Sequence, residues 1–135
     1  MKYPENIETA FEVENIILKN GAIPCTIGIL DGKVKVGLTR KEIETLGTIS
    51  TQSTTENPVI KCSTRDLPYV TSQKLSGSTT VSSSAFISSS VGLDVFCTGG
   101  IGGVHRDVID SFDISNDLVQ LAHLPKPLSI VFNFI

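Results

Sequence analysis

The stretch Leu93-Asp-Val-Phe-Cys-Thr-Gly-Gly-Ile-Gly-Gly-Val-His-Arg106 decides the fold class. Its first six residues predict a buried strand over residues 93–98, and Cys97 is interpreted as a buried packing residue in preference to a nucleophile. Four glycines then predict a loop whose N–H groups can approach an anion or a sugar, because no Cβ stands in the way. They are Gly99, Gly100, Gly102 and Gly103. Their spacing does not match the dinucleotide-binding motif, so a structural turn and a binding loop are equally good interpretations.

The residues that precede this stretch predict alternating helices and strands. An apolar stripe over residues 7–17 predicts a helix that ends at Asn20-Gly21. Asp31-Gly32 predicts the turn of a hairpin between residues 22–30 and 33–38. These elements favour an α/β fold.

A second helix is predicted to follow the hairpin. Thr39 and Glu42 have the spacing of a capping box, and the apolar face ends at Gly47. Residues 48–57 are polar and are interpreted as a surface loop. A short strand over residues 59–61 comes next, which places Lys61 at the carboxyl end of a strand.

The remaining elements complete the pattern. The signature Ser63-Thr-Arg-Asp66 predicts a helix start, with a break or a kink at Pro68. Residues 77–90 predict a helix with small residues, residues 118–121 a further helix, and residues 128–134 a final strand. The sequence therefore predicts a layered α/β fold with a mostly buried mixed sheet and ligands at the carboxyl ends of the strands.

Composition excludes several classes of function. The 135 residues suit one domain, with 40% hydrophobic and 19% charged residues and a net charge of −3. Eleven basic against fourteen acidic residues give no support for binding nucleic acid or a membrane surface. Three cysteines without a CxxC pair suggest neither disulfides nor zinc, and a cytoplasmic location is expected.

Several polar residues are candidates for a site, each with a structural alternative. Lys61 could bind a phosphate or be a solvated surface group. Asp113 and Asp117 could bind a divalent metal if they share a helical face, but Asp113 or Ser115 could instead cap a helix. His105 could be a general acid or a hydrogen-bonding core residue.

Four segments together resemble the pseudouridine-5'-phosphate glycosidase family. The first is Asn20-Gly-Ala-Ile-Pro-Cys-Thr-Ile-Gly-Ile-Leu-Asp-Gly-Lys-Val-Lys-Val-Gly-Leu-Thr39, and the second is Lys61-Cys-Ser-Thr-Arg-Asp-Leu-Pro-Tyr69. The third is the glycine stretch over residues 95–106, and the fourth is Phe112-Asp-Ile-Ser-Asn-Asp-Leu118. The resemblance covers residues 4 to 121, approximately.

The resemblance implies an activity and roles for single residues. The family cleaves the C–C glycosidic bond of pseudouridine 5'-phosphate to uracil and ribose 5-phosphate, with Mn²⁺, as a homotrimer of α/β/α subunits. Lys61 matches the lysine that contacts phosphate, Val81 a backbone contact to substrate, and Asp113 the metal ligand. The substrate-binding turn is matched by Ser115, Asn116 and Asp117. His105 lies in the signature loop without an assigned role.

The chain departs from the family at both catalytic residues. The family's glutamate lies in a Glu-Ser-Thr-Ile segment before the first helix, and its Schiff-base lysine in a Cys-Ala-Gly-x-Lys segment after the final strand. No residue here matches either, and Lys126 precedes the final strand. We therefore expect residues 1–135 to be a partial domain, without the N-terminal strand and C-terminal half, that is marginally stable and inactive alone.

Three functions remain to be compared. One is a glycosidase by descent, and another is a non-catalytic remnant that binds ligand or associates with an oligomer. A nucleotide-binding module is disfavoured because the glycine loop has no P-loop lysine and serine. The glycosidase hypothesis also predicts that Lys61, the loop over residues 99–103 and Asp113 border one cleft.

Overall fold

The computed structural model describes residues 3–51 and 59–132, with α-helices and β-strands in alternation. The chain divides into two compact units, Met1–Lys61 with Pro68–Ser78, and Cys62–Leu67 with Thr79–Ile135. The predicted α/β class is confirmed. In the described part of the chain, no helix is long and apolar enough to cross a membrane.

The helices and strands follow one another in chain order. They are α1 (Glu5–Lys19), β1 (Ile27–Leu30), β2 (Lys33–Val36), α2 (Arg40–Thr51), β3 (Ile60–Cys62), a 3-10 turn (Thr64–Asp66), α3 (Leu67–Ser72), β4 (Gly77–Thr79), α4 (Val81–Val91), β5 (Val95–Thr98), α5 (Val108–Ser111), α6 (Asn116–Leu121) and β6 (Ser129–Phe132).

The hairpin at the centre of the first unit confirms the prediction from Asp31-Gly32. Both residues have positive φ, 49° and 74°, as a two-residue hairpin turn with the strands' own twist requires. A Cβ at Gly32 would lie 2.7 Å from the Cα of Lys74, so the turn also needs glycine for close approach. Strand β1 begins at Ile27, later than the predicted residue 22.

The sheet of the first unit has the order β2-β1-β4-β3. Strand β1 is antiparallel to both neighbours, with Ile29 paired to Val34 on one side and to Gly77 on the other. Ile29 is 0% exposed. Helix α2 contacts β1 and α1, and the apolar core of the unit includes Leu38, Ile43 and Val70.

Helix α2 continues past its predicted end at Gly47. The capping box is confirmed, since Thr39 N donates to Glu42 Oε2 at 2.8 Å. A Cβ at Gly47 would lie 2.7 Å from Ile7 Cγ1, so this glycine permits packing against α1 instead of ending the helix. The predicted loop is therefore wrong over residues 48–51, which are helical, and residues 52–58 lie outside the described part.

Two further predictions are corrected by the local geometry. Pro68 does not break a helix, because it is the second residue of α3, where a backbone donor is not needed. A helix was predicted over residues 77–90. Residues 77–79 instead form strand β4, and the helix, α4, begins at Val81. The signature at Ser63 is confirmed, because Asp66 Oδ2 accepts from Ser63 N at 2.8 Å.

The second unit contains a parallel pair of strands, β5 and β6, in which Val95 pairs with Ser129. Helix α4 contacts both β5 and α6. The strand predicted over residues 93–98 is present from Val95, but the prediction that it is buried is wrong, because Val95 and Cys97 are exposed. Side chains alternate between the faces of a strand, and these two share one face. Of the predicted last strand, residues 133–134 lie outside the described part.

Candidate functional site

The glycine loop and the Phe-Asp-Ile-Ser segment lie against each other in the second unit. Val104 and Ile114 form an antiparallel bridge, and Ser115 N donates to the carbonyl of Gly103 at 3.0 Å. Between the two segments is the short helix α5, which the sequence did not predict. Helix α5 ends at Phe112, whose φ of 51° is rarely adopted by a bulky side chain.

His105 and Asp113 face each other across this bridge. His105 Nε2 lies 3.5 Å from Asp113 Oδ2, and the side chains are 72% and 63% exposed. His105 is therefore not the core hydrogen-bonding residue that the sequence left open as an alternative. An exposed pair of this kind is screened by water and contributes little to stability.

These two residues are an incomplete ligand set for a divalent metal. Within residues 3–51 and 59–132, no group of three or more His, Cys, Asp or Glu side chains could hold a metal ion. Asp113 and His105 would supply at most two of the roughly six donors that an octahedral Mn²⁺ site takes. The described side chains therefore do not fit a protein-enclosed Mn²⁺ site.

Asp117 connects three elements of the second unit through its side chain. It is 8% exposed, and its Oδ1 accepts from Ser82 N at 2.8 Å while its Oδ2 accepts from Gly102 N at 2.9 Å. Ser82 is the second residue of α4, and Gly102 belongs to the glycine loop. The helix that would place Asp113 and Asp117 on a shared face is not present, because α6 begins only at Asn116.

Ser115 contacts the backbone of Asp117 and is the reason why position 102 of the loop must be glycine. It is the N-cap of α6, and its Oγ accepts from Asp117 N at 3.2 Å, as the capping alternative predicted. A Cβ at Gly102 would lie 2.1 Å from that Oγ, which excludes any side chain there. A Cβ on any of the other three loop glycines would meet nothing within 4 Å.

The first turn of α4 adds further polar groups to this cluster. Val81 is the first residue of α4, where backbone N–H groups have no partner within the helix. Ser82 Oγ lies 2.9 Å from Thr80 Oγ1 and accepts from Thr64 N at 3.2 Å. We call this group the Asp117 cluster; it consists of Thr64, Thr80, Val81, Ser82, Gly102, Ser115, Asn116 and Asp117.

Two polar atoms of the Asp117 cluster are buried without a partner in the protein. They are Thr64 Oγ1 and Asn116 Nδ2. Buried polar atoms in folded proteins nearly always have a hydrogen-bond partner, so an orphaned hydroxyl and amide are consistent with a polar ligand or an ordered water. Sequence reasoning named Asn116 but missed Thr64, Thr80 and Ser82. The serine-rich start of α4 was the available signal.

Lys61 lies in the first unit, whereas the Asp117 cluster, His105 and Asp113 lie in the second. It is the middle residue of β3, one position before the strand end, and its side chain is exposed. The exposure agrees equally with a phosphate ligand and with a surface lysine. Its convergence with the glycine loop and Asp113 stays a prediction.

Cys62, at the end of β3, is unsuited to nucleophilic catalysis. Its side chain is buried, and burial, with a smaller contribution from the charge of Asp66, raises the pKa of the thiol. A raised pKa keeps the sulfur protonated at neutral pH, and the thiolate is the reactive form.

A separate cavity of about 170 Å³ lies in the first unit between α1, α2 and the sheet. Asn6 lines it, and the side-chain oxygen of that residue is buried without a partner. The other lining residues are Ile7, Thr26, Ile27, Leu38, Ile43, Leu46, Gly47 and Ser78. The lining thus includes none of the residues predicted to bind substrate or metal.

Comparisons with known sequences show which proteins this chain is similar to. A family model described as "Indigoidine synthase A like protein" matches residues 1–131. The pseudouridine-5'-phosphate glycosidase of Clostridium botulinum is 53% identical over 123 residues, which are 91% of this chain and 38% of the relative. That of Escherichia coli K12 is 49% identical over 123 residues, with the same 91% and 38%.

Solved structures show the same similarity in three dimensions. The prealnumycin C-glycosynthase AlnA, in complex with ribulose 5-phosphate, matches with a TM-score of 0.79 and 36% identity over 96% of this chain and 40% of its own. An indigoidine synthase A-like protein of Thermotoga maritima matches with a TM-score of 0.76 and 28% identity, covering 97% of this chain and 41% of its own.

The sequence relatives confirm the resemblance inferred from the glycine stretch and the Phe-Asp-Ile-Ser segment. The chain spans about 38% of the length of the curated relatives it matches. The family model covers almost the whole chain. The chain therefore belongs to the indigoidine synthase A-like family.

Proposed function

We propose that this chain binds the ribose 5-phosphate part of pseudouridine 5'-phosphate, as the substrate-positioning portion of a glycosidase. The Asp117 cluster carries the proposal. It brings Val81, Ser115 and Asn116, which the resemblance assigns to substrate, together with buried polar atoms that have no protein partner. Phosphorylated sugars are also named for similar proteins, as substrate of the glycosidases and as the ribulose 5-phosphate held by AlnA.

Hydroxyl and backbone N–H groups suit the sugar. The Val81 N–H group at the start of α4 can donate to a ribose oxygen, and the hydroxyl of Thr64 can donate or accept. Lys61 is the proposed partner of the phosphate as a point charge. No lysine or glutamate belongs to the Asp117 cluster, so the described cluster supports binding and not the Schiff-base step.

Cleavage of the C–C bond is the second part of the proposal and rests on the family. The family reaction needs a lysine that forms an iminium with the opened sugar and a group that transfers a proton. We propose this activity for the family domain to which these residues belong, in a cytoplasmic homotrimer. The alternative is a chain that binds ligand or oligomerises without catalysis. Sedimentation of the purified chain tests the trimer.

Titration of the purified chain with ribose 5-phosphate tests the binding proposal. We expect saturable heat of binding, and changed amide resonances at Val81 and Asn116. Lys61→Ala should weaken binding, whereas Lys33→Ala, which changes an exposed lysine of β2, should not. Equal binding of ribose and ribose 5-phosphate, or no binding of either, would contradict the proposal. Release of uracil from pseudouridine 5'-phosphate separates catalysis from binding.

Mn²⁺ is proposed as the metal, with Asp113 as its ligand from this chain. Since the described side chains supply an incomplete set, water or substrate oxygens would complete the coordination. Paramagnetic resonance of added Mn²⁺ tests this. Asp113→Asn should reduce the bound signal, and Asp110→Asn, an exposed carboxylate in α5, is the control with the same charge change. Equal loss in both variants would contradict a specific role for Asp113.

A further inference from the structure

Asp117 has both carboxylate oxygens engaged by backbone donors of its own unit. Oδ1 lies 2.8 Å from Ser82 N and Oδ2 lies 2.9 Å from Gly102 N. The side chain is buried, and its own N–H donates to Ser115 Oγ at 3.2 Å. A carboxylate that accepts two backbone N–H bonds while buried has little exposed surface left for a ligand.

The two donors belong to segments that are far apart in sequence. Gly102 is in the middle of the glycine loop, and Ser82 is in the first turn of α4, next to the backbone of Val81. Holding both N–H groups with one rigid carboxylate fixes the loop relative to the start of the helix. Ser115 adds a steric constraint, because its Oγ occupies the space that a side chain at position 102 would need.

We propose that Asp117 is a positioning residue that holds the glycine loop and the Val81 backbone in the arrangement that accepts ribose 5-phosphate, without contacting the ligand itself. This inference rests on the proposed function for its ligand. It differs from the role that the resemblance gives Asp117, which is direct contact with substrate. It also gives Gly102 a role, as the loop donor that Asp117 holds.

Substitution by asparagine tests the proposal with little change of shape. An amide has one acceptor oxygen, so in Asp117→Asn one of the two backbone donors would face an NH₂ group. We expect amide hydrogen exchange at Gly102 and Ser82 to accelerate together, and affinity for ribose 5-phosphate to fall about tenfold to a hundredfold, as for loss of a hydrogen bond to a charged group. Asp110→Asn should change neither quantity.

The outcomes separate positioning from direct contact. If affinity falls while exchange at Gly102 and Ser82 is unchanged, Asp117 touches the ligand and the proposal is wrong. It is also wrong if neither quantity changes. If the unchanged protein binds no ribose 5-phosphate, the proposed function fails. The exchange measurement then still decides whether Asp117 holds the loop and the helix.

A measurement on the unsubstituted protein covers the case in which Asp117→Asn does not fold. Scalar couplings through the hydrogen bonds should connect the carboxylate carbon of Asp117 to the amide nitrogens of Ser82 and Gly102. We expect both couplings in the free protein and at saturating ribose 5-phosphate. Absence of either coupling in the free protein, or its loss when the ligand is added, would overturn the proposal.

Discussion

In the first unit the buried side chains include the apolar Ile29, Leu38, Ile43 and Val70, whereas in the second unit many of the buried side chains are serines, among them Ser83. Ile29 is fully buried between Val34 and Gly77. Ser83 is equally buried, but its Oγ donates to the carbonyl of Cys62 at 2.6 Å. Apolar side chains such as Ile29 stabilise the unit by the area that they remove from water. Hydroxyls such as that of Ser83 hold individual backbone groups in place through hydrogen bonds.

This difference has a consequence for function. Apolar burial is non-directional and stabilises in proportion to the area removed from water. Hydrogen bonds from Ser83 and to Asp117 are directional, and a buried donor or acceptor that loses its partner is destabilising. The buried hydrogen bonds of the second unit therefore hold its backbone groups in a defined arrangement, which suits the polar ligand proposed above.

The largest effect is expected from the apolar core of the first unit. Ile29→Ala removes three buried carbons, and we expect the free energy of unfolding to fall by about 2–5 kcal/mol. Val34→Ala, at the half-exposed cross-strand partner, should cost much less. Chemical denaturation of both variants measures the difference. Equal losses would show that Ile29 is not the centre of the core.

The second effect concerns the close approach of Ser115 to Gly102, which leaves no room for a side chain at position 102. Gly102→Ala should reduce stability by about 1–3 kcal/mol, because the new Cβ overlaps Ser115 Oγ. Gly103→Ala, whose Cβ would meet nothing within 4 Å, is the matched control and should be close to neutral.

A double substitution makes the same prediction sharper. Ser115→Gly removes the side-chain atoms that would overlap a Cβ at position 102. As a replacement for the N-cap serine, glycine should reduce stability by only about a few tenths of a kcal/mol. The double variant should then be more stable than Gly102→Ala alone. Additive losses in unfolding measurements would show that the two residues do not touch.

A smaller effect is expected from the buried hydroxyl of Ser83. Ser83→Ala should cost about 1 kcal/mol, since the Cys62 carbonyl still accepts from Thr80 N at 3.0 Å and is not left unpaired. Ser90→Ala is the control, because that hydroxyl is exposed and bonds only within α4. If Ser83→Ala were as costly as Ile29→Ala, hydroxyl bonding would contribute more to stability than we infer.

The smallest effect is a pH dependence in the first unit. The contact with the Lys35 ammonium, followed by bonds from Thr39, lowers the pKa of Glu42 to about 2 from an ordinary value of 4.5. A lowered folded pKa means that the unfolded chain binds the proton first, so this contribution is complete above pH 4.5 and is lost as the pH falls toward 2.

Unfolding curves between those two pH values test this assignment. In Glu42→Gln, the loss of stability on acidification should be smaller than in the unsubstituted protein. Glu44→Gln, an exposed glutamate in the same helix, should keep the original slope. An unchanged slope in Glu42→Gln would mean that the contact with Lys35 does not persist in solution.

Features that depend on neighbouring residues could be predicted from the amino-acid sequence. The Asp31-Gly32 turn, the capping box of Thr39 and Glu42, and the N-cap at Ser115 are set by backbone conformation and local hydrogen bonds. For that reason the hairpin turn and these capping interactions were predicted correctly, whereas the first residue of α4 was not. The family was likewise readable from the order of short segments.

Which polar groups meet, and which glycines are needed, depends on the packing of the folded chain. Gly47 lies inside α2 because Ile7 of α1 packs on it, and Gly102 is required because Ser115 lies beneath it. Asp117 reaches Ser82 across 35 positions of sequence. Contacts over such separations depend on how helices pack, which no local pattern encodes. The sequence therefore named Asp117 as a site residue, and the fold showed what its carboxylate holds.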